Sequence, residues 1–195
     1  MAVTRSAYIK GGAVLLAALL VMASAPLVAQ TAPVNRDARL TAAFLEHVQQ
    51  YMQVHEKARK MLPDMPTTAT ASHTDTHSRA LGRAIAQTRS RARAGDIFTR
   101  EIRGYFRQQI ARALSGPGGA EVRASIMDEN PQGVRFRVNE RYPDTVPFAS
   151  MPPQVLSMLP KLPLELEYRF IGERLILLDV HAHLIVDFID NALPK

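Results

Sequence analysis

Residues 166–190 read LEYRFIGERLILLDVHAHLIVDFID, the most apolar stretch beyond the N-terminal segment and the expected centre of the core. Tyr168 and Phe170 alternate with Glu167 and Arg169, the period of a half-buried strand. Gly172-Glu173 is a two-residue pair that closes a tight hairpin, because glycine accepts positive φ. Leu175 to Leu178 is a short continuous apolar run, as in a strand buried on both faces. Leu184 to Ile189 is rich in β-branched and aromatic residues, which suit a pleated surface. The alternative is a helix capped by Asp179, with Leu184, Ile185, Phe188 and Ile189 on one face. The strand reading is favoured, with a turn at Asp179 to His183.

The same stretch holds the one string that looks like chemistry, Asp179-Val180-His181-Ala182-His183. On a strand, His181 and His183 would point the same way, and Asp179 could add a carboxylate, so the three are the candidate metal ligands. LLDVHAHL resembles the first metal motif of the amidohydrolase-type barrels, a strand ending in His-x-His. That fold takes about 200 residues or more, and its motif opens the barrel, whereas here only residues 184–195 follow. One five-residue segment also leaves a catalytic zinc without its usual spread of three ligands. No catalytic residue and no cofactor is assigned. There is no Cys, and no nucleophile elbow, phosphate loop, His-Glu-x-x-His or dinucleotide fingerprint.

Upstream, three amphipathic helices are expected at about 37–62, 75–94 and 99–115. Leu40, Phe44, Val48, Tyr51 and His55 (or His47 and Val54) face inward on the first; Pro63 and Pro66 stop it. Leu81, Ile85, Thr88 and Ala92 face inward on the second, which Gly95 ends. Ile102, Phe106 and Ile110 mark the third. His73 and His77, four apart, lie at the start of the second helix. Ser115-Gly116-Pro117-Gly118-Gly119 then breaks the chain. Glu121–Met127 reads as a short helix or a strand, 128–133 as a turn, and Val134, Phe136 and Val138, alternating with Arg135 and Arg137, as a half-exposed strand over 134–139. Pro152-Pro153 opens one or two helical turns. The fold class is therefore α+β. A helical part, 36–115, precedes a mixed part, 120–195, with an antiparallel sheet of about four strands at 134–139, 166–171, 174–179 and 184–189.

The N-terminus reads as a signal peptide, residues 1–29. Arg5 and Lys10 precede an apolar run, Ala13 to Met22, too short to span a bilayer comfortably, and cleavage is expected after Ala29. Residues 30–195 would then form a single domain, periplasmic or secreted, without a lipidation Cys and not transmembrane. An uncleaved anchor is the alternative. Removing the signal takes two cations and no acid from a chain of net charge +6. The remaining charge is uneven: 71–115 carries nine Arg against three acids. Arg83, Arg89, Arg91, Arg93, Arg103 and Arg107 are the candidate contacts to an anionic envelope component. Nucleic acid is not an expected partner of an exported chain without a binding motif.

MPPQVLSMLPKLPLELEYRFIGERLILLDVHAHLIVDFIDNALP, with SIMDENP and VNERYPD before it, resembles one of the exported bacterial families to which no activity is assigned. From Leu166 onward the order of strand, Gly-containing turn, apolar strand, Asp-started turn and last strand is similar to the C-terminal hairpin of the periplasmic nickel–cobalt homeostasis proteins. That resemblance implies a small antiparallel sheet and a periplasmic address. It carries over no metal ligand, because no ligand motif matches residue by residue, and the long helical half departs from that family. The expected function is that of an exported, non-enzymatic binding or scaffolding protein. The alternative is a metal protein using Asp179, His181 and His183.

Overall fold

The structure, a computed structural model, describes residues 35–65, 68–130, 133–147 and 150–195. The signal reading of 1–29 and the leader up to Val34 lie outside the described residues, as do Pro66, Pro131 and Gln132 of the expected stop and turn.

The stretch from Leu166 folds as three antiparallel strands, β1 Leu166–Ile171, β2 Arg174–Asp179 and β3 Leu184–Ile189, in the order β1-β2-β3. Gly172 sits at φ 56 and closes the first hairpin, the conformation for which glycine was expected there. β2 is the middle strand. Leu175 to Leu178 are 0% exposed, because side chains alternate between two covered faces. Leu175 and Leu177 join Tyr168, Leu184, Val186 and Ile189 in the larger core cluster. Ile176 and Leu178 join Ile185 and Phe188 in the second.

The register breaks once. Leu177 pairs with Asp187 but Leu178 pairs with Ile185, so Val186 is an unmatched residue, a β-bulge in β3. The extra residue shifts alternation by one. Val186 and Asp187 therefore both turn toward the first face, while Ile185 and Phe188 take the second.

The first face is covered by helices. α1 Arg36–Arg59 buries Phe44, Val48, Tyr51, His55 and Ala58, spaced three or four apart. α2 Ala71–Thr88 begins where Thr70 accepts from His73 N and the His73 ring accepts from Thr70 N, a reciprocal cap. It therefore starts before the expected residue 75. It also ends before 94, because the backbone leaves the helix at Arg89, and Thr88 is exposed rather than inward. α3 Arg100–Ala113 is capped by Thr99. Phe44 stacks on Phe98 with centroids 5.5 Å apart and meets Phe106 at 4.8 Å, close to Tyr168 of β1. Two further helices follow: α4 Gly119–Glu129, which settles the open reading of 121–127, and α5 Pro153–Leu156 with proline in its first turn.

The expected fourth strand, 134–139, is a correction. Phe136 does reach the second face of the sheet, ring against Phe188 at 5.2 Å. The run cannot continue as a strand, because Asn139 takes φ 64 and Glu140 turns its carboxylate back to Arg137 N at 2.6 Å. What pairs instead is the next segment. A single bridge joins Arg141 to Leu184, flanked by Asn139 N to Ile185 O and Tyr142 N to His183 O. That segment covers the outer edge of β3, which would otherwise offer unpaired backbone groups. Tyr142 and Val146 complete the second cluster. Val34–Lys195 packs as one compact unit.

Candidate functional site

Asp179 is the last residue of β2, and its carboxylate lies 0% exposed on the helical side of the sheet. Its Oδ1 accepts from His181 N at 3.0 Å and Ala182 N at 2.8 Å, which fixes the β2–β3 turn. Its Oδ2 accepts from the Tyr51 hydroxyl at 2.6 Å and from His55 Nδ1 at 2.5 Å. Tyr51 and His55 are one helical turn apart on α1, so both meet one oxygen. Four donors occupy the four lone-pair positions of the carboxylate.

Electrostatics follow from that geometry. Burial opposes charge on His55, but the hydrogen bond and charge of Asp179, helped by Glu165 and Glu56, hold its pKa above the ordinary 6.5. Burial, then the charge and hydrogen bond of Asp179, push Tyr51 well above its usual value, so it stays a phenol donor. The network continues through Arg89, whose guanidinium lies 5.0 Å from the Tyr51 ring centroid. Arg89 Nη1 donates to Asn139 Oδ1 at 3.1 Å and, at 3.4 Å, to the carbonyl of Val186, the bulge residue. Asn139 Nδ2 returns a bond to Arg89 O at 2.8 Å. Burial lowers the Arg89 pKa, offset by Tyr51, Asp187 and Asp96.

Asp187, also 0% exposed, is held differently. Among the described residues, no cation forms an ion pair or hydrogen bond with it. Oδ2 accepts from Ile97 N and Phe98 N, both at 2.8 Å; Oδ1 accepts from Gly95 N at 2.9 Å and Phe188 N at 2.8 Å. Gly95, at φ 100, provides the reversal that brings these amides together. It is therefore the pivot of the loop before α3 rather than the end of α2.

The candidate metal ligands are separated by this arrangement. Asp179 has spent its oxygens inward. His181 is exposed, with its ring 5.9 Å from that of His55. His183 takes φ 47 and lies in the field of Arg141, Asp144 and Asp75; burial, then Arg141, lowers its pKa. Among the described residues, no group of three or more His, Asp or Glu is placed to hold a metal ion. Of the candidate anion contacts, Arg83, Arg91 and Arg93 are exposed, and Arg103 is half-buried. Arg89 is instead turned inward. Arg107 is exposed but ties the end of β3 through Asp190 O at 2.7 Å and Asn191 O at 3.1 Å.

Among the concave surfaces of the described residues, two bear on binding. A groove of about 770 Å³ runs between 150–164 and β1, walled by Met151, Pro153, Leu156, Leu162, Leu164 and Tyr168. Leu164 is 92% and Leu156 49% exposed. A smaller hollow of about 200 Å³ lies between α2 and the 139–141 turn. Sequence reasoning did not place the lining of the groove, which is dispersed over proline-rich connections. It also missed Arg89, Asn139 and Asp187 as ties; a lone acid inside an apolar β-run was the available signal for the last.

Compared with known proteins, the chain matches no family model, no curated protein and no solved structure.

Proposed function

We propose that the chain is an exported, non-enzymatic binding protein whose ligand is a long-chain amphiphile with an acidic head. The observation that carries this reading is the groove beside β1. Exposed apolar side chains gathered in a concavity mark contact sites, since isolated ones need no explanation but contiguous ones carry a hydration cost. Leu156, Leu162 and Leu164 supply the apolar wall, and exposed Lys161 supplies a cation for an acidic head. The Asp179 and Asp187 constellations favour binding over catalysis, because their polar groups are consumed in holding elements together. A metal reading through Asp179, His181 and His183 gains no support from a carboxylate already filled by four donors.

Export is supported by the pattern of residues 1–29. Among the described residues, no helix is long and apolar enough to cross a membrane. An anionic envelope component suits the exposed guanidinium groups of Arg83, Arg91 and Arg93 and the half-buried one of Arg103.

The binding test is a fluorescence titration of the purified protein with oleate and cis-parinarate. Saturable binding that Leu164→Asp and Leu156→Asp both weaken is expected, because each puts a like charge against the acidic ligand's path. Absence of saturation, or binding indifferent to both variants, removes the groove reading. N-terminal sequencing of protein recovered from producing cells tests the address. A start near Gln30 outside the cytoplasm is expected, and an intact Met1 in the soluble cytoplasmic fraction sinks it.

A further inference from the structure

We propose that the hollow between α2 and the 139–141 turn binds a phosphate group, as free phosphate or as the headgroup of an anionic lipid. The hollow holds about 200 Å³, room for a single small oxyanion with some water, at about 30 Å³ per water molecule. It exists because α2 carries two small residues on this side, Gly82 and Ala86, one turn apart. A Cβ at Gly82 would come within 3.1 Å of Ala182 O, so the helix sits directly on the β2–β3 turn, which forms the floor.

Three guanidinium groups ring the opening: Arg79 and Arg83 from α2, and Arg141 from the segment that covers β3. Two of them are fixed in place by acids. Arg79 Nε donates to Asp75 Oδ2 at 2.7 Å, and its Nη2 lies 3.7 Å from Asp144. Arg141 Nη2 donates to Asp75 Oδ1 at 2.8 Å, and its Nε to Asp144 Oδ1 at 3.4 Å. Arg141 Nη1 reaches the buried Ser78 hydroxyl at 3.4 Å. The two carboxylates thus occupy one edge of each guanidinium and orient it, without consuming all its donors. Arg79 Nη1 is among the unspent ones.

Arg83 is the surplus charge. It stands one helical turn from Arg79, a like-charge spacing that disfavours the helix. Among the described residues it makes no hydrogen bond and no ion pair. Three cations against two acids leave one positive charge at the mouth of a shaped hollow. Forks converging from two separate segments suit a tetrahedral phosphate, which accepts from several directions, better than a planar carboxylate. This site does not depend on the groove beside β1, and its test is separate.

The test uses the purified full chain at fixed ionic strength, with inorganic phosphate followed by NMR or calorimetry. Saturable one-to-one binding is expected. Arg83→Ala should weaken it by about tenfold or more, the effect of a lost charge-assisted contact. Arg100→Ala, a control on an exposed arginine outside the hollow, should leave it unchanged; equal thermal unfolding of the three proteins confirms that each is folded. A parallel arm measures retention on vesicles of phosphatidylcholine with and without phosphatidylglycerol. Retention that needs phosphatidylglycerol and is lost in Arg83→Ala places the phosphate on a lipid. Phosphate binding without vesicle retention places it in solution. Either result supports the site. No saturable binding in either arm, or equal losses in Arg83→Ala and Arg100→Ala, overturns it.

Discussion

Asp179 and Asp187 are both fully buried carboxylates, yet one is matched by two side chains and two backbone amides and the other by backbone amides alone. Removing one partner of a buried, hydrogen-bonded charge is costly because the others lose their acceptor. Asp179→Ala is expected to destabilise by about 3–5 kcal/mol in chemical denaturation; a loss below about 1 kcal/mol would mean that water replaces the carboxylate. His55 adds a pH signature. Its folded pKa is raised, so the stability it contributes is fully present below its unfolded value, near 6.5, and is lost as pH rises through the folded value. The stability gap between the natural chain and His55→Phe should therefore shrink as pH rises above about 6.5 in urea titrations. A gap that stays constant or widens would place the proton elsewhere.

At the level of elements, the three C-terminal strands were legible because their apolar periods are short and bounded by Gly172 and Asp179. Leu177 was expected at the centre and is 0% exposed. Leu177→Ala should cost about 2–5 kcal/mol, read from the denaturation midpoint. The strand expected at 134–139 illustrates the limit of periodicity. Val134, Phe136 and Val138 alternate as a strand does, and Phe136 is buried as alternation demands. Alternation says nothing about whether a neighbour lies within backbone reach, and Asn139 in the left-handed region ends the extension. The candidate site was legible by halves. Asp179 stood out, and the α1 face containing Tyr51 and His55 followed from helical spacing. That these meet across the molecule could not follow from spacing, because the contact joins residues 124 and 128 positions apart. The bulge at Val186 was equally hidden, since one extra residue in an apolar run leaves no mark on composition. It nonetheless decides where Asp187 points. Deleting Val186 should restore regular alternation with Asp187 still opposite Leu177, but it removes a buried side chain and the carbonyl that accepts from Arg89, so the variant should unfold at lower denaturant than the natural chain. A variant as stable as the natural chain would show that the bulge is dispensable.

For the whole molecule, the middle strand is shielded on one face by helices and on the other by 133–147. Amides of Leu177 and Leu178 should be the slowest to exchange in native-state hydrogen exchange, and those of the exposed 150–164 connection among the fastest. Equal protection in both regions would contradict the layering. The long reach of the Asp179 tie has a further consequence, in time rather than in space. Tyr51 and His55 are synthesised long before the carboxylate they close on, which follows 128 and 124 positions later. The bulge and Asp187, which hold the loop before α3, arrive later still. The helices can meet one another through Phe44, Phe98 and Phe106, but the sheet face they cover is complete only once the last hairpin has been made. For the export proposed above, that delay favours passage through a narrow channel: the chain closes once its final strand has reached the far side.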